Sequence, residues 1–188
     1  MPESRKSSKV FFANMVDVGS DSCHIMNNAA TRLCTHFDNI LEGLLDKLHV
    51  DLQETTRKVS LDAIASTCGM HVLSQKRRLS HRWLSQLPLL QQFENEMDVI
   101  TLFYSSFVES KMSTQLVKDI FPRLEVSREG QQVINSILGK LKEKFNKMAG
   151  SESAQASRAR TTSICDILFH QRSLLLLLLD VYKKFLFL

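Results

Sequence analysis

The apolar residues of this chain recur at alternating steps of three and four along much of its length. The first series contains Cys23, Met26, Ala30, Leu33, Phe37, Ile40 and Leu44. Such spacing places apolar side chains along one face of an α-helix, in a heptad-like seam. Leu41, Leu45 and Leu48 widen this face at its far end, as in a helix that packs against two neighbours. The pattern therefore predicts a helical bundle rather than an isolated two-stranded coiled coil.

Further seams of the same kind extend over the following segments. DLQE, residues 51–54, predicts a capping box that starts a second helix. Pro88 predicts its end, because the residue before a proline avoids helical geometry. Gly69 lies between them, weakens that helix by about 1 kcal/mol relative to alanine, and is an alternative point for a break in it. A third helix is predicted over residues 89–112, where the seam continues through the β-branched and aromatic stretch VITLFYSSF.

Two more helices and a linker are predicted before the last segment. STQLVKDIFPRLEV indicates a short helix that ends at Pro122, and Ser127 begins the next. GSESAQASRARTTS carries no large apolar residue, so residues 150–162 have nothing to bury and are expected to form a flexible linker. The last helix is then expected to begin at Thr162 or Ser163 and to run to the end of the chain.

Composition supports an all-α fold. The 188 residues include 6 Gly and 3 Pro, far fewer than a turn-rich fold requires. Hydrophobic residues at 44% and charged residues at 23% match the average of globular proteins, which argues against general disorder. We expect an all-α bundle of about five to six helices with heptad-like apolar seams, the last helix following a flexible linker. The predicted parts are a flexible N-terminus at 1–20, the bundle at 21–149, the linker at 150–162 and an apolar helix at 163–188.

The most apolar stretch of the chain is SLLLLLLDVYKKFLFL, which begins at Ser173. The best membrane-length window contains Asp166, Arg172 and Asp180, and charges near the centre of a span cost about 2.5 to 3.5 kcal/mol each, which argues against a membrane anchor. A helix that is apolar on every face must be enclosed on every face, either by the bundle or by a partner. The candidate partner-binding residues are Leu174, Leu175, Leu178, Leu179, Tyr182 and Phe185.

Motifs of catalysis and metal binding are missing from the sequence. Cys23 and Cys34 fall on one helical face, but about 16 Å of helical rise separates them, so they cannot share one zinc ion on a straight helix. The sequence has no Gly-flanked serine, no obvious Cys–His pairing and no glycine-rich phosphate loop. We therefore predict no catalytic, metal-binding or cofactor-binding residue, no cofactor, and no enzymatic activity.

Two basic clusters support an alternative function. QKRRLSHR and GKLKEKFNK could contact phosphates, and the net charge of +4 permits an acidic partner. The candidate nucleic-acid-binding residues are Lys76, Arg77, Arg78, Arg82, Lys140, Lys144 and Lys147. Few aromatic residues are interleaved with these cations, and the clusters form no known DNA-binding motif, so a solvated helix face is the preferred interpretation.

Two serines match short patterns that basophilic kinases recognise. Arg158 and Arg160 precede Ser163 with the spacing R-x-R-x-x-S, and KRRLS ends at Ser80. A phosphate on Ser163 is expected to lie at the N-terminus of the last helix, where the helix dipole favours negative charge. Ser80 falls inside a predicted helix and is less accessible. Both serines are predicted phosphorylation sites.

The remaining features indicate an intracellular protein. The N-terminal apolar patch is too short for a secretory signal, no asparagine lies in an N-x-S/T triplet, and the four cysteines are scattered. We expect free thiols and a nuclear or cytoplasmic location. The predicted function is that of a non-enzymatic adaptor or complex subunit that binds a helical protein, or itself, through apolar helix faces. The alternative is a nuclear helical protein associated with DNA or RNA through its basic faces.

Overall fold

The computed structural model describes residues 39–72, 86–108, 111–148 and 151–186, together with Arg32, Thr35 and Phe37. In these residues the chain forms seven α-helices: α1 Ile40–Asp51, α2 Thr55–Thr67, α3 Gln86–Tyr104, α4 Lys111–Arg123, α5 Arg128–Lys147, α6 Glu152–Cys165 and α7 Arg172–Leu186. A short 3-10 turn, Ser105–Phe107, follows α3, and a π turn, Asp166–His170, joins α6 to α7. The described part contains no strand, so the predicted all-α bundle is confirmed, with slightly more helices than expected.

Helix α3 forms the centre of the bundle. It contacts α2, α4, α6 and α7, while α1 covers α6 and α7, and α5 covers α2 and the 3-10 turn. Residues 99–104, VITLFY, are all fully buried. A helix surrounded on every side can be apolar on every face, which explains why strand-favouring residues are helical here. The prediction of a helix for this stretch is confirmed, but its predicted extent to residue 112 is wrong: α3 ends at Tyr104, and the 3-10 turn and the extended Val108 separate it from α4.

The apolar seams also face inward elsewhere. Leu41, Leu44, Leu45 and Leu48 of α1 are buried, as the widened seam predicted. In α5, Ile134 and Leu141 are buried, whereas the lysines of the same helix are exposed. Burying a leucine or isoleucine side chain contributes roughly 1.5 to 3 kcal/mol, so these seams account for much of the stability of the bundle.

The predicted second helix is too long. Helix α2 ends at Thr67, and Gly69 follows with φ +66°, a left-handed conformation that glycine adopts without steric cost. The amide of Met70 then donates to the carbonyl of Ala65 at 2.9 Å, as in a Schellman cap. Pro88 does not end a helix but lies in the first turn of α3, where its missing N–H is not needed.

The predicted capping box is also wrong. Asp51 is the last residue of α1, and Glu54 precedes α2 without a side-chain capping hydrogen bond. Ser127 is confirmed as the N-cap of α5, because its hydroxyl accepts from the Gly130 amide at 3.1 Å. Pro122 lies inside the last turn of α4 rather than after it.

The segment predicted to be a flexible linker at 150–162 is instead largely helical. Helix α6 begins after Ser151, whose hydroxyl accepts from the Ala154 amide at 3.2 Å. The prediction is wrong because it assumed that a segment without large apolar residues cannot be held in a fold. Helix α6 is held mainly by the polar contacts described below. The predicted N-terminus at 1–20 lies outside the described residues.

Candidate functional site

Helix α7 divides the predicted partner-binding residues between the core and other positions. Leu175, Leu178 and Leu179 are buried within the bundle, and Leu174 is half-buried. The apolar helix was expected to pack on the bundle or on a partner. Leu175, Leu178 and Leu179 pack in the core of the bundle and are therefore not available to a partner. The side chains of Tyr182 and Phe185 lie outside the described residues.

The exposed leucines of α7 are a different pair. Leu176 and Leu177 are 44% and 52% exposed. The sequence did not predict that these two leucines are exposed, because a run of six leucines has no apolar face distinct from a polar one. A signal was present nearby: Ser173 and Asp180 lie one turn before and one turn after the pair, and both are exposed. Polar residues on either side of an apolar run mark the face of the helix that meets solvent.

An open cleft of about 280 Å³ lies beside this face. Its lining residues are Gln115, Leu116 and Asp119 from α4, Phe169 and His170 from the π turn, and Arg172 and Ser173 from α7. The apolar lining residues are the half-buried Leu116 and the buried Phe169, and Asp119, His170 and Ser173 provide exposed polar groups. The cleft is somewhat smaller than typical small-molecule sites, which occupy about 300 to 1,000 Å³. It is large enough to receive a single long side chain.

The arginines near the cleft are held by one carboxylate of α3. Arg172 donates to Asp98 at 3.0 Å and to Thr101 Oγ1 at 3.1 Å. Arg123 donates to both oxygens of Asp98, at 2.8 and 2.9 Å. Burial lowers the pKa of Arg172, whereas the hydrogen bond to Asp98 raises the pKa of Arg123. These contacts fix the first turn of α7 and the end of α4 against the central helix.

Asp119 in the lining, and Asp166 next to the lining residue His170, accept hydrogen bonds from amide and imidazole groups. Asp119 accepts from Gln115 Nε2 at 3.0 Å. Asp166 accepts from Gln171 Nε2 at 3.0 Å, and its other oxygen lies 3.1 Å from His170 Nδ1. Each carboxylate oxygen can accept more than one hydrogen bond, so both groups keep capacity for a further donor.

A buried polar cluster joins α6 to the rest of the bundle. Arg57 Nη1 donates to Asp51 and, at 2.8 Å, to Thr161 Oγ1, while Nη2 donates to Ser157 Oγ at 3.0 Å. The hydroxyl of Tyr104 donates to Asp51 at 2.7 Å. Asp51 and Arg57 are 1% and 4% exposed, so their charges are compensated by each other and by these hydrogen bonds. The cluster thereby connects α1, α2, α3 and α6.

The surroundings of this cluster indicate a structural role. The adjoining cavity, next to Arg57, measures about 20 Å³, room for about one water molecule. Burial, together with the charge of Asp51, raises the pKa of Tyr104 well above its usual value. The same causes raise the pKa of Cys165 to about 12, so its thiol stays protonated and unreactive near neutral pH.

Additional polar contacts hold the middle and the C-terminal end of α6. Arg158 Nη2 donates to the carbonyl of Phe145 at 2.8 Å, and its guanidinium lies 5.2 Å from the centre of the Phe145 ring. Lys47 Nζ donates to Ser163 Oγ at 2.6 Å. Ser163 is therefore half-buried near the end of α6, and the expectation that it lies at a helix N-terminus after a linker is wrong. Its phosphorylation stays a prediction, and Ser80 lies outside the described residues.

Only part of the predicted basic surface falls in the described residues. Lys140, Lys144 and Lys147 are exposed on α5. Lys144 Nζ donates to Thr56 Oγ1 at 3.0 Å, and Lys147 Nζ lies 4.0 Å from Glu143. The other predicted nucleic-acid residues, Lys76, Arg77, Arg78 and Arg82, lie outside the described part of the chain.

The described residues contain neither a candidate metal site nor a helix suited to cross a membrane. Among the described residues, no group of three or more His, Cys, Asp or Glu side chains could hold a metal ion. Cys68 and Cys165 are free thiols, whereas Cys23 and Cys34 lie outside the described part. Within the ranges that the structure describes, none of the helices combines the length and apolar character needed to cross a bilayer.

No protein-family model, curated protein or solved structure matches this chain. The surfaces of the chain itself are therefore the basis for assigning a function. Two of them are distinctive: the leucine pair of α7 with its adjoining cleft, and the exposed lysines of α5.

Proposed function

We propose that this chain is a non-enzymatic helical interaction protein of the nucleus or cytoplasm, acting as an adaptor or as a subunit of a multiprotein complex. It binds a helical partner through exposed apolar helix faces. The observation that supports this function most strongly is the exposure of Leu176 and Leu177 on α7, opposite the buried Leu175, Leu178 and Leu179. One helix thus contributes apolar side chains both to the core and to the surface.

The environment of α7 suits such a role. Burying apolar surface contributes about 25 cal/mol of free energy per Å², so a partner that covers these two exposed leucines gains this contribution to binding. Arg172 anchors the first turn of the helix to Asp98 and Thr101. A face that is already fixed loses little conformational entropy when a partner binds. Helix-in-groove packing is the recognition mode that this arrangement favours.

The proposal is tested by size-exclusion chromatography with light scattering on the full chain in low and high salt. We expect it to associate, with itself or with a purified candidate partner, and the association to persist in high salt because apolar contacts are not screened. The Leu176→Ser/Leu177→Ser variant is expected to lose this association. Val133→Ser is the matched control, since Val133 is 49% exposed but lies on α5. Association that is equally strong in the leucine variant would count against α7 as the binding face.

A second candidate function is binding of DNA or RNA through α5. It is supported by the exposure of Lys140, Lys144 and Lys147 along that helix. Phosphate binding releases counterions and weakens steeply as salt rises, unlike apolar association. Fluorescence anisotropy with a labelled DNA duplex over a salt series separates the two functions. The Lys140→Gln/Lys147→Gln variant should reduce the salt slope if α5 contacts phosphates, and an unchanged slope would exclude this helix as the contact.

A further inference from the structure

We propose that Leu176, Leu177 and the adjoining cleft form one docking surface for an amphipathic helix of another protein, and that this helix carries a lysine or arginine that enters the cleft. This inference rests on the proposed function and specifies the chemistry of the partner. We refer to the leucine pair and the cleft together as the α7 docking surface.

The two parts of the α7 docking surface are contiguous. Ser173 lines the cleft and precedes Leu176 and Leu177 by three and four residues. Residues at these separations are neighbours on one face of a helix. All three side chains are exposed, so the surface continues from the cleft along α7 without an intervening buried position.

The shape of the surface limits how a partner can bind. The cleft of about 280 Å³ is too small for a helix but large enough for one long side chain. The half-buried Leu116 gives it an apolar wall, against which the methylene groups of a lysine or arginine can pack while the charged group remains near water. The apolar residues one turn away on the partner helix would then cover Leu176 and Leu177.

The charges at the cleft favour a cationic side chain. Asp119 lines the cleft, is exposed, and accepts a hydrogen bond from Gln115 but retains acceptor capacity. Two cations lie near it, Arg172 in the lining and Arg123 one turn along α4 from Asp119, and Asp98 accepts hydrogen bonds from both. A carboxylate from a partner would therefore meet negative charge, whereas an ammonium or guanidinium group would meet an acceptor.

A second copy of the chain is a poorer match for the same surface. In a two-fold dimer the same patch must face itself, which would bring like-charged carboxylates together. Lys184, an exposed lysine of α7, already lies 2.9 Å from Asp180 of its own helix. The exposed area of two leucines is also small compared with the roughly 800 Å² per partner of a standard stable interface. We therefore infer a different protein, bound transiently.

The test uses the full chain and two labelled peptides, measured by fluorescence anisotropy. Both peptides form the same leucine-bearing amphipathic helix, and one central position is lysine in the first and glutamate in the second. We expect the lysine peptide to bind about threefold more tightly, the size of an exposed ion pair. Asp119→Asn should remove this preference and Asp119→Lys should reverse it. The Leu176→Ser/Leu177→Ser variant should bind both peptides about tenfold more weakly, whereas Val133→Ser should leave both affinities unchanged.

The possible outcomes separate this inference from the proposed function. If the two peptides bind equally well and the Asp119 variants do not change this, the inference that the partner carries a lysine or arginine in the cleft is wrong. Binding that survives Leu176→Ser/Leu177→Ser would overturn the location but leave a helix-binding function intact. If neither peptide binds and the leucine variant abolishes self-association, the occupant is a second copy and the inference fails. If neither peptide binds and the chain never associates, both the inference and the proposed function fail. Circular dichroism of each variant verifies the fold.

Discussion

Helices α6 and α7 are consecutive in the chain but are attached to the bundle by different forces. Helix α6 has no large apolar residue before Ile164, and hydrogen bonds from Arg57, Lys47 and its own Arg158 hold it in place. Helix α7 is attached mainly through buried leucines, with Arg172 fixing its first turn. A segment without apolar residues can therefore be an integral helix, and a fully apolar segment can leave part of its surface exposed.

The strongest test of this comparison removes the charge at the centre of the α6 attachment. Arg57→Met removes the hydrogen-bonded charge partner of the buried Asp51 and leaves Arg160, 3.7 Å from its other oxygen, so we expect the free energy of unfolding to fall by about 3 kcal/mol. Urea denaturation measures this loss, and hydrogen exchange should show α6 opening more readily than α7. The Asp51→Asn/Arg57→Met double variant should be less destabilised than the single variant. A loss below about 1 kcal/mol for Arg57→Met would contradict a polar attachment of α6.

For α7, two adjacent leucines provide a matched pair. Leu178 is 2% exposed and Leu177 is 52% exposed. Leu178→Ala should cost about 3 kcal/mol through lost burial and the cavity that remains. Leu177→Ala should change the free energy of unfolding by at most about 0.5 kcal/mol. Chemical denaturation of the two variants checks this difference, and similar losses would show that α7 presents no free face.

The thiol at the end of α6 predicts a pH dependence. Cys165 ionises near pH 9 in the unfolded chain, whereas burial raises its pKa to about 12 in the fold. The stability contributed by the protonated thiol is complete below pH 9 and is lost as the pH rises toward 12. Between pH 9 and 10 we expect the free energy of unfolding to fall by about 1 kcal/mol from this group. Cys165→Ser should remove that part of the slope, and an unchanged slope would place the thiol in contact with solvent.

The smallest expected effect concerns an ion pair on the exposed face of α7. Asp180 and Lys184 are one helical turn apart, with their charged atoms 2.9 Å from each other. Asp180→Asn should lower the free energy of unfolding by about 0.2 to 0.5 kcal/mol, and added salt should reduce even this difference. Thermal unfolding in low and high salt measures it. A loss above 1 kcal/mol would mean that the outer face of α7 also holds the fold together.

The candidate site could be anticipated only in part. The apolar run at the end of the sequence predicted that α7 binds a partner, but three of the predicted contact residues, Leu175, Leu178 and Leu179, are buried. Leu176 and Leu177 could have been recognised from the polar residues one turn away on either side, Ser173 and Asp180. The cleft gave no such signal, because α4 and the π turn contribute to it from segments about 50 residues apart.

Local features of the sequence were sufficient to predict that the chain is helical. The three-and-four spacing of apolar residues, the scarcity of glycine and proline, and the N-cap at Ser127 act within a few residues of one another. The tertiary structure alone decided that Asp51 turns inward and that residues 152–165 form a helix. Arg57 contacts Ser157 across 100 residues of chain, and a hydrogen bond over that separation leaves no periodic pattern in the sequence. Which leucines of α7 face solvent was likewise decided by where α1 and α3 lie.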